Sequence, residues 1–490
     1  MDDVDASQTV IVSFLAFLLG FVLIGVLSVL KNRHTSSDYL LASQSIKPWL
    51  AGLSAVATNN SGWMFVGLIG FTFTHGLSAM WVMIGWITGD MAISFLVHRR
   101  LRNVTQERNV VSFGGVLARW HNTDFRLVRI LSGLLTLLFL GAYAGAQLNA
   151  GSKALHVLLG WDYAFGATIG AVIVLIYCFA GGIRASIWTD AAQAIVMFAS
   201  MAVMCVMAIH NLGGLSEFWQ RLDSVDPHYR EIVPHDMIFG ATAGPVLFII
   251  GWLFAGIGVI GQPHIMVRFM AMDDVEHMNR ARLYYYGWFV LAYILTYGVG
   301  LAARLLLDVS KQDFDAELAL PVLALQLMPD IGVGLVLAGL FAATMSTADS
   351  QILSCSGALT RDLFQGRQGN QRRQGRLSGY WLTKGATVVV TAIALFIALY
   401  GADSVFYLVN LSWAALGATF GPLLIVYALQ QKPAQPLAVT MMLGGGAATL
   451  LWWAYGYPDA VYQILPGIVT GLAIFLVGRI SGFAQTAQES

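Results

Sequence analysis

The sequence predicts an all-α polytopic membrane protein of about thirteen transmembrane helices, and three observations carry that prediction. Of its 490 residues, 57% are hydrophobic and 11% charged, against about 25% charged in a soluble domain, and mean hydropathy is +0.69. The apolar residues fall in runs of membrane length, since a hydrocarbon core of about 30 Å takes about 20 helical residues. Lys and Arg cluster in the short segments between those runs. Formal net charge is +0, so no global field points to nucleic acid, and none is expected as a partner.

The first run, residues 10–30, carries no charge, follows Asp2, Asp3 and Asp5, and precedes Lys31 and Arg33. A cleaved signal peptide has the opposite flanks, so this run reads as a retained helix with its N-terminus outside. Further runs cover residues 48–75, 77–97, 127–157, 161–182, 186–210, 238–262, 284–306, 319–359, 381–400, 403–430, 435–455 and 459–478. Thirteen crossings that start outside leave the C-terminus in the cytoplasm and put every second loop there. Those loops carry Arg99, Arg100, Arg102, Arg108 and Arg119, then Arg184, then Arg268, Arg280 and Arg282, then Arg361, Arg367, Arg372, Arg373 and Arg376. The opposite loops are acidic, with Glu217, Asp223, Asp226, Glu231, Asp313, Asp315 and Glu317 beside only Arg221, Arg230 and Lys311. The alternation satisfies the positive-inside rule. Residues 365–376, rich in Gln, Gly and Arg, read as a flexible cytoplasmic loop whose basic run is a topology signal. Cys178, Cys205 and Cys355 lie singly in apolar runs and read as small core residues.

Two of the runs are composed to break. Residues 54–63 place Ser54, Thr58, Asn59, Asn60, Ser61 and Gly62 at membrane depth, where short polar side chains compete with helix for backbone groups. Residues 256–263 combine Gly256, Gly258 and Gly261 with Pro263. Unwound backbone at this depth is tolerated where it lines a cavity or is buried by protein, and paired breaks point to a transporter's binding site. With residues 10–30 as an extra helix, the breaks open two five-helix units, 48–210 and 238–430, and 435–478 adds two last helices. The glycines of the second break also fit G-x-G-x-x-G, but without a preceding strand or βαβ unit no nucleotide is expected. A third feature is the run from Gly339 to Gln351, where Ser346, Asp349 and Ser350 stand at i, i+3 and i+4 on one helix face. A polar stripe with a full charge is costly in a bilayer and marks an ion or substrate path. Oxygens suit a hard cation, although Ser and Thr also bond back to carbonyls one turn earlier.

Together, residues 53–63 (LSAVATNNSGW), Trp188-Thr189-Asp190, residues 261–264 (GQPH) with Arg268-Phe269-Met270, and residues 342–347 (AATMST) resemble the bacterial sodium/solute symporter family, most closely its sodium/proline permease branch. The resemblance runs from about Asp38 to Leu429. It implies two inverted five-helix repeats of the leucine-transporter type and sodium-driven uptake by alternating access in the bacterial inner membrane. It also implies a main sodium site made by the carbonyls of Ala57, Asn60 and Ala343 with the hydroxyls of Ser346 and Thr347. Some members hold a second ion at the aspartate matching Asp190; its partners here would be Ser346, Asp349 and Ser350. The family usually has a hydroxyl residue where Asp349 stands. Two carboxylates facing one small site would hold a second sodium or share a proton; alternatively Asp349 pairs with an arginine near its helix end and Asp190 packs locally. The proline permeases have an aspartate where this chain has Asn59, which suggests that charge has moved to Asp349.

The family's substrate pocket maps to Asn59, Gly62, Trp63, Tyr143, Ala255 and Val259. Trp63 and Tyr143 can give flat walls and a polar rim. Proline permeases have a tryptophan and a tyrosine where Ala255 and Val259 stand, which weighs against proline itself; Trp252, on nearly the same helix face, is placed to substitute in part. Free N–H groups at the break suit a carboxylate. The cargo class expected is therefore an amino acid, proline-like or related, or a small organic acid, with sodium as coupling ion and no organic cofactor. The alternative is a solute-sensing membrane module with little or no transport. No enzyme is expected, since His210, His264 and Asp190 form no metal or nucleophile spacing such as H-E-x-x-H.

Overall fold

The computed structural model describes residues 7–234, 237–307, 314–364, 376–401, 405–456 and 461–481, and among these the regular secondary structure is helical. The crossing helices are α1 (Gln8–Leu27), α2 in two halves (α2a, Pro48–Trp63; α2b, Ile69–His75), α3 (Met80–Glu107), α4 (Arg126–Leu159), α5 (Tyr163–Gly181) and α6 (Ile183–Asn211). They continue with α7 in two halves (α7a, Gly240–Ile257; α7b, Pro263–Met270), α8 (Met278–Leu306), α9 (Asp330–Gly357), α10 (Arg376–Tyr400), α11 (Val405–Ala428), α12 (Gln435–Ala454) and α13 (Ile464–Ile480). Among the described residues, eleven helical stretches are long and apolar enough to cross a membrane. One of them, Pro48–Glu107, reverses at Gly76, and α13 is a shorter apolar helix, so the count comes to about thirteen.

Two reversals need glycine. Gly76 has φ +64°, and a Cβ there would lie 2.2 Å from the Tyr229 carbonyl oxygen. Gly182, between α5 and α6, has φ +59° and would place a Cβ 2.4 Å from the Tyr39 carbonyl oxygen. Any side chain would be strained at both positions.

α9 runs through the inside of the bundle with nearly every side chain buried, whereas α1 buries only one narrow face. α9 packs against α1, α2a, α4 and α6. Val12, Leu15, Leu19 and Leu23 on α1 are exposed, as are Val389, Ile393 and Phe396 on α10, giving these helices an apolar lipid-facing side. The polar residues of α9 are therefore surrounded by protein, which is where a membrane protein can hold them.

The sequence reading and the structure differ in three places. The run 319–359 is not one crossing: a short helix, Ala319–Leu327, is followed by extended Met328 and by Pro329, which caps α9. Proline disfavours helical backbone in the residue before it. Second, Arg102, Arg184 and Arg282, read as loop charges, are buried ties at the basic end of the bundle. Arg102 Nε donates to Met272 O (2.8 Å), Arg282 Nη2 to Ser94 O (2.6 Å) and Arg184 Nη2 to Asp38 Oδ1 (2.6 Å). Third, Arg268 lies not in a loop but within α7b, fully buried. Residues 365–375, which hold most of the basic run, lie outside the described residues.

Candidate ion and solute site

The break in α2 is centred on Ser61, a non-glycine residue with φ +50° and ψ −177°. The freed amide groups turn aside: Gly62 N–H donates to Gln147 Oε1 (2.9 Å) and Trp63 N–H to Ser61 Oγ (3.1 Å). Tyr143 OH also donates to Ser61 Oγ (3.3 Å). Gly62 is required by close approach, because a Cβ would lie 2.6 Å from Thr344 Cγ2. The N–H groups expected to await a carboxylate are thus already bonded within the protein.

The carbonyls one turn earlier face α9. Ser346 Oγ lies 3.3 Å from Ala57 O and 3.1 Å from Ala343 O; Thr347 Oγ1 lies 3.0 Å from Thr58 O and 3.2 Å from Ala343 O. Both hydroxyls bond back along α9, as membrane Ser and Thr commonly do, and also reach across to carbonyls of α2a. Of the five expected oxygens the structure gathers those of Ala57, Ala343, Ser346 and Thr347, and it adds Thr58 O, which sequence reasoning missed. Asn60 O accepts Met64 N–H, and Asn60 Nδ2 donates to Val56 O (2.7 Å). Five neutral oxygens at such spacings suit a cation held at about 2.4 Å, whose ligands stand roughly 3.4 Å apart in an octahedral shell.

One turn along, Asp190 of α6 and Asp349 of α9 share Arg268. Its Nη2 is 3.2 Å from Asp190 Oδ2 and 3.7 Å from Asp349 Oδ1, with all three side chains fully buried. Ser54 Oγ donates to Asp190 (2.6 Å), while Tyr177 OH (2.8 Å), Ser186 Oγ (2.9 Å) and Ser350 Oγ (2.8 Å) donate to Asp349. Arg268 also donates to Ser186 Oγ (2.7 Å) and to Ser350 Oγ. Asp190 Oδ1 has no hydrogen-bond partner among the described residues. Asp190, Asp349 and Ser350 are thus brought together as expected, but around a resident guanidinium. Ser346 is not among them: its hydroxyl belongs to the first cluster, and only its carbonyl reaches here, accepting from Thr58 Oγ1 (3.2 Å) and Ser350 Oγ (2.5 Å). Arg268 was the missed residue. Two acidic side chains inside a membrane required a buried cation, and Arg268 in the proline-opened α7b was available to supply it.

Asn59 is bonded not toward Asp349 but through Tyr285 OH to Asp90 Oδ2, which Tyr285 reaches at 2.6 Å while Tyr286 OH donates to Asp90 Oδ1 (3.0 Å). The buried carboxylate tied to position 59 is thus Asp90 on α3. The other pocket residues sit among aromatic rings. Trp63 lies 5.3 Å from Trp86 and 6.2 Å from Trp252, and Trp86 lies 4.6 Å from Trp413 (ring centroids). Trp413 Nε1 donates to Ala255 O (3.1 Å). Trp86 and Trp413, which were not foreseen, fill the space beside the small Ala255, and Val259 is likewise fully buried. A cavity of about 660 Å³ opens at the acidic end; of the seven predicted pocket residues only Trp252 lines it.

Known proteins give a consistent picture. The model of the sodium:solute symporter family matches residues 39–445. The sodium/proline symporter of Salmonella typhimurium is 30% identical over 487 residues, covering 98% of this chain and 95% of the relative. The high-affinity proline transporter PutP of Bacillus subtilis is 30% identical over 454 residues, covering 92% and 94%. Among solved structures, a sodium-coupled sialic acid symporter in a substrate-bound outward-open state superposes with TM-score 0.83 at 19% identity, over 97% of this chain and 98% of that one. That likeness shows a shared leucine-transporter-type fold with broken helices. The breaks in α2 and α7, the oxygens between α2a and α9, and the match along most of the sequence converge: this chain belongs to the sodium:solute symporter family and is a sodium-coupled symporter of a small solute.

Proposed function

We propose that this symporter imports a compact amino acid of the proline class, with sodium bound by Ala57 O, Thr58 O, Ala343 O, Ser346 Oγ and Thr347 Oγ1. The carrying observation is that oxygen cluster, which joins the broken α2a to the central α9. An ion there bridges two elements that alternating access must move relative to one another, so its binding energy biases one conformation over the other. Residues 48–210 and 238–430 act as the two repeats, the basic end of the bundle faces the cytoplasm and the N-terminus lies outside.

The solute binds beside the break, against Trp63, Tyr143 and Trp252, with Asn59 held in place through Tyr285 and Asp90. The two proline transporters, each 30% identical over more than nine-tenths of this chain, support the substrate class. Trp86 and Trp413 support it further by supplying aromatic bulk beside Ala255. At Asp190 and Asp349, one guanidinium faces two carboxyl groups; the balance is completed either by a second cation with both ionised or by a proton on one of them.

Proteoliposomes carrying the purified chain test the reading. With an inward sodium gradient, radiolabelled L-proline accumulates above its equilibrium level, and replacing sodium by choline abolishes the accumulation. A panel of amino acids and small organic acids run in parallel ranks the cargo. Saturable solute binding with no sodium-driven flux of any panel member would refute the assignment in favour of a sensor.

A further inference from the structure

We propose that the cavity at the acidic end is an outer subsite that holds a carboxylate-bearing solute with an N–H or ammonium donor before it reaches the buried pocket. This deepens the symport reading and rests on it. The cavity's volume, about 660 Å³, lies within the range of about 300–1,000 Å³ usual for small-ligand sites. Its apolar wall is Trp252 stacked on Tyr462, with ring centroids 4.8 Å apart and planes within 10°.

Trp252 also lies beside Trp63 at the break, so cavity and pocket share a wall. The polar lining is unbalanced in a way that calls for a ligand. Asn410 and Gln463 are 7% and 2% exposed, and the side-chain oxygen of each has no hydrogen-bond partner among the described residues. Gln463 is held in place because its Nε2 donates to Asn410 O (3.3 Å). Buried amide oxygens left unbonded are costly and accept from any donor that fits.

The cation of the lining is Arg304 of α8, whose guanidinium lies over the Phe73 ring at 5.4 Å and makes no hydrogen bond or ion pair with the described residues. A planar guanidinium receives a carboxylate through paired N–H donors. Asp226 lines the cavity too; its Oδ1 accepts His228 N–H (2.8 Å), which leaves its second oxygen and its charge to receive a ligand's ammonium. This lining offers a zwitterionic amino acid groups complementary to both its charges, Arg304 for the carboxylate and Asn410, Gln463 and Asp226 for the ammonium.

The test is sodium-driven uptake of radiolabelled L-proline in proteoliposomes, with unlabelled L-proline and L-prolinamide as competitors. Arg304→Gln is expected to raise the half-saturating proline concentration about tenfold, with maximal rate within about twofold, and Arg304→Lys to recover most of the loss. The advantage of proline over prolinamide as competitor should collapse in Arg304→Gln. If that variant fails to reach the membrane, Gln463→Leu is read instead and should raise the half-saturating concentration roughly fivefold. Accumulation of proline by the wild type with unchanged half-saturation and unchanged competitor preference in the variants overturns the subsite alone. No sodium-driven accumulation by the wild type of any solute overturns the symport reading and the subsite with it.

Discussion

Thr347→Val removes one oxygen from the proposed sodium shell while keeping side-chain shape. Thr347 Oγ1 lies 3.0 Å from Thr58 O and 3.2 Å from Ala343 O, so with Ser346 Oγ it links carbonyls of the two elements. An interaction between a neutral hydroxyl and a charged partner contributes about 1.5–3 kcal/mol. At about 1.4 kcal/mol per tenfold, its loss raises the half-activating sodium concentration about 10- to 150-fold. Thr58 O also loses a donor in the sodium-free protein, and burying it unbonded costs about 1–3 kcal/mol of stability. The assay is proline uptake against external sodium at fixed membrane potential, with thermal stability read on the same preparation. Thr347→Ser keeps the hydroxyl and should stay within about threefold of wild type. Sodium activation within twofold of wild type in a stably folded Thr347→Val protein would refute Thr347 as an ion ligand.

Four further outcomes follow from the same geometry. Arg268→Gln leaves two buried carboxyl groups without their cation and should cost about 3–5 kcal/mol, read as a lower melting temperature in detergent; unaltered stability would show that Arg268 does not balance them. Asp349→Asn retains a hydrogen-bonding side chain beside Tyr177, Ser186 and Ser350 but lowers the site's charge, so the charge moved per proline, measured electrically, should change; unchanged charge, together with unchanged pH dependence of uptake, rules out a second ion there. Gly62→Ala drives a Cβ to 2.6 Å from Thr344 Cγ2 and should cost about 1–3 kcal/mol, with Thr344→Ser, which lacks that methyl, restoring part of it. Tyr285→Phe cuts the link between Asn59 and Asp90, and half-saturating proline should rise about five- to tenfold; no change would free Asn59 of any role in solute binding.

Much of the fold was legible because a bilayer makes hydropathy speak plainly. Apart from the run 319–359, each apolar run holds a crossing helix among the described residues, and the polar residues at 58–62 and the glycines at 256–261 marked where helices 2 and 7 open. The run 319–359 misled because hydropathy does not register a turn; Pro329 was the available signal. Ser346 and Thr347 were legible as oxygen donors facing a break, but Thr58 was not, since a carbonyl's direction depends on where the backbone turns, and that point is Ser61. Arg268 was hidden by topology counting, which treats every arginine near a run's end as a loop charge. Its true place depends on how α7b, α2a, α6 and α9 meet, which no local pattern encodes. The Asn59–Tyr285–Asp90 chain and the packing of Trp86 and Trp413 by Ala255 are likewise contacts between distant segments.

The central claim is that sodium sits between the opened α2 and the hydroxyls of α9. Equilibrium binding of radiosodium to the purified protein tests it directly, comparing wild type with a Ser346→Ala, Thr347→Val double variant confirmed to be folded. The account predicts saturable sodium binding in the wild type that the double variant loses over the same concentration range. Wild-type affinity and stoichiometry retained in the double variant would contradict it.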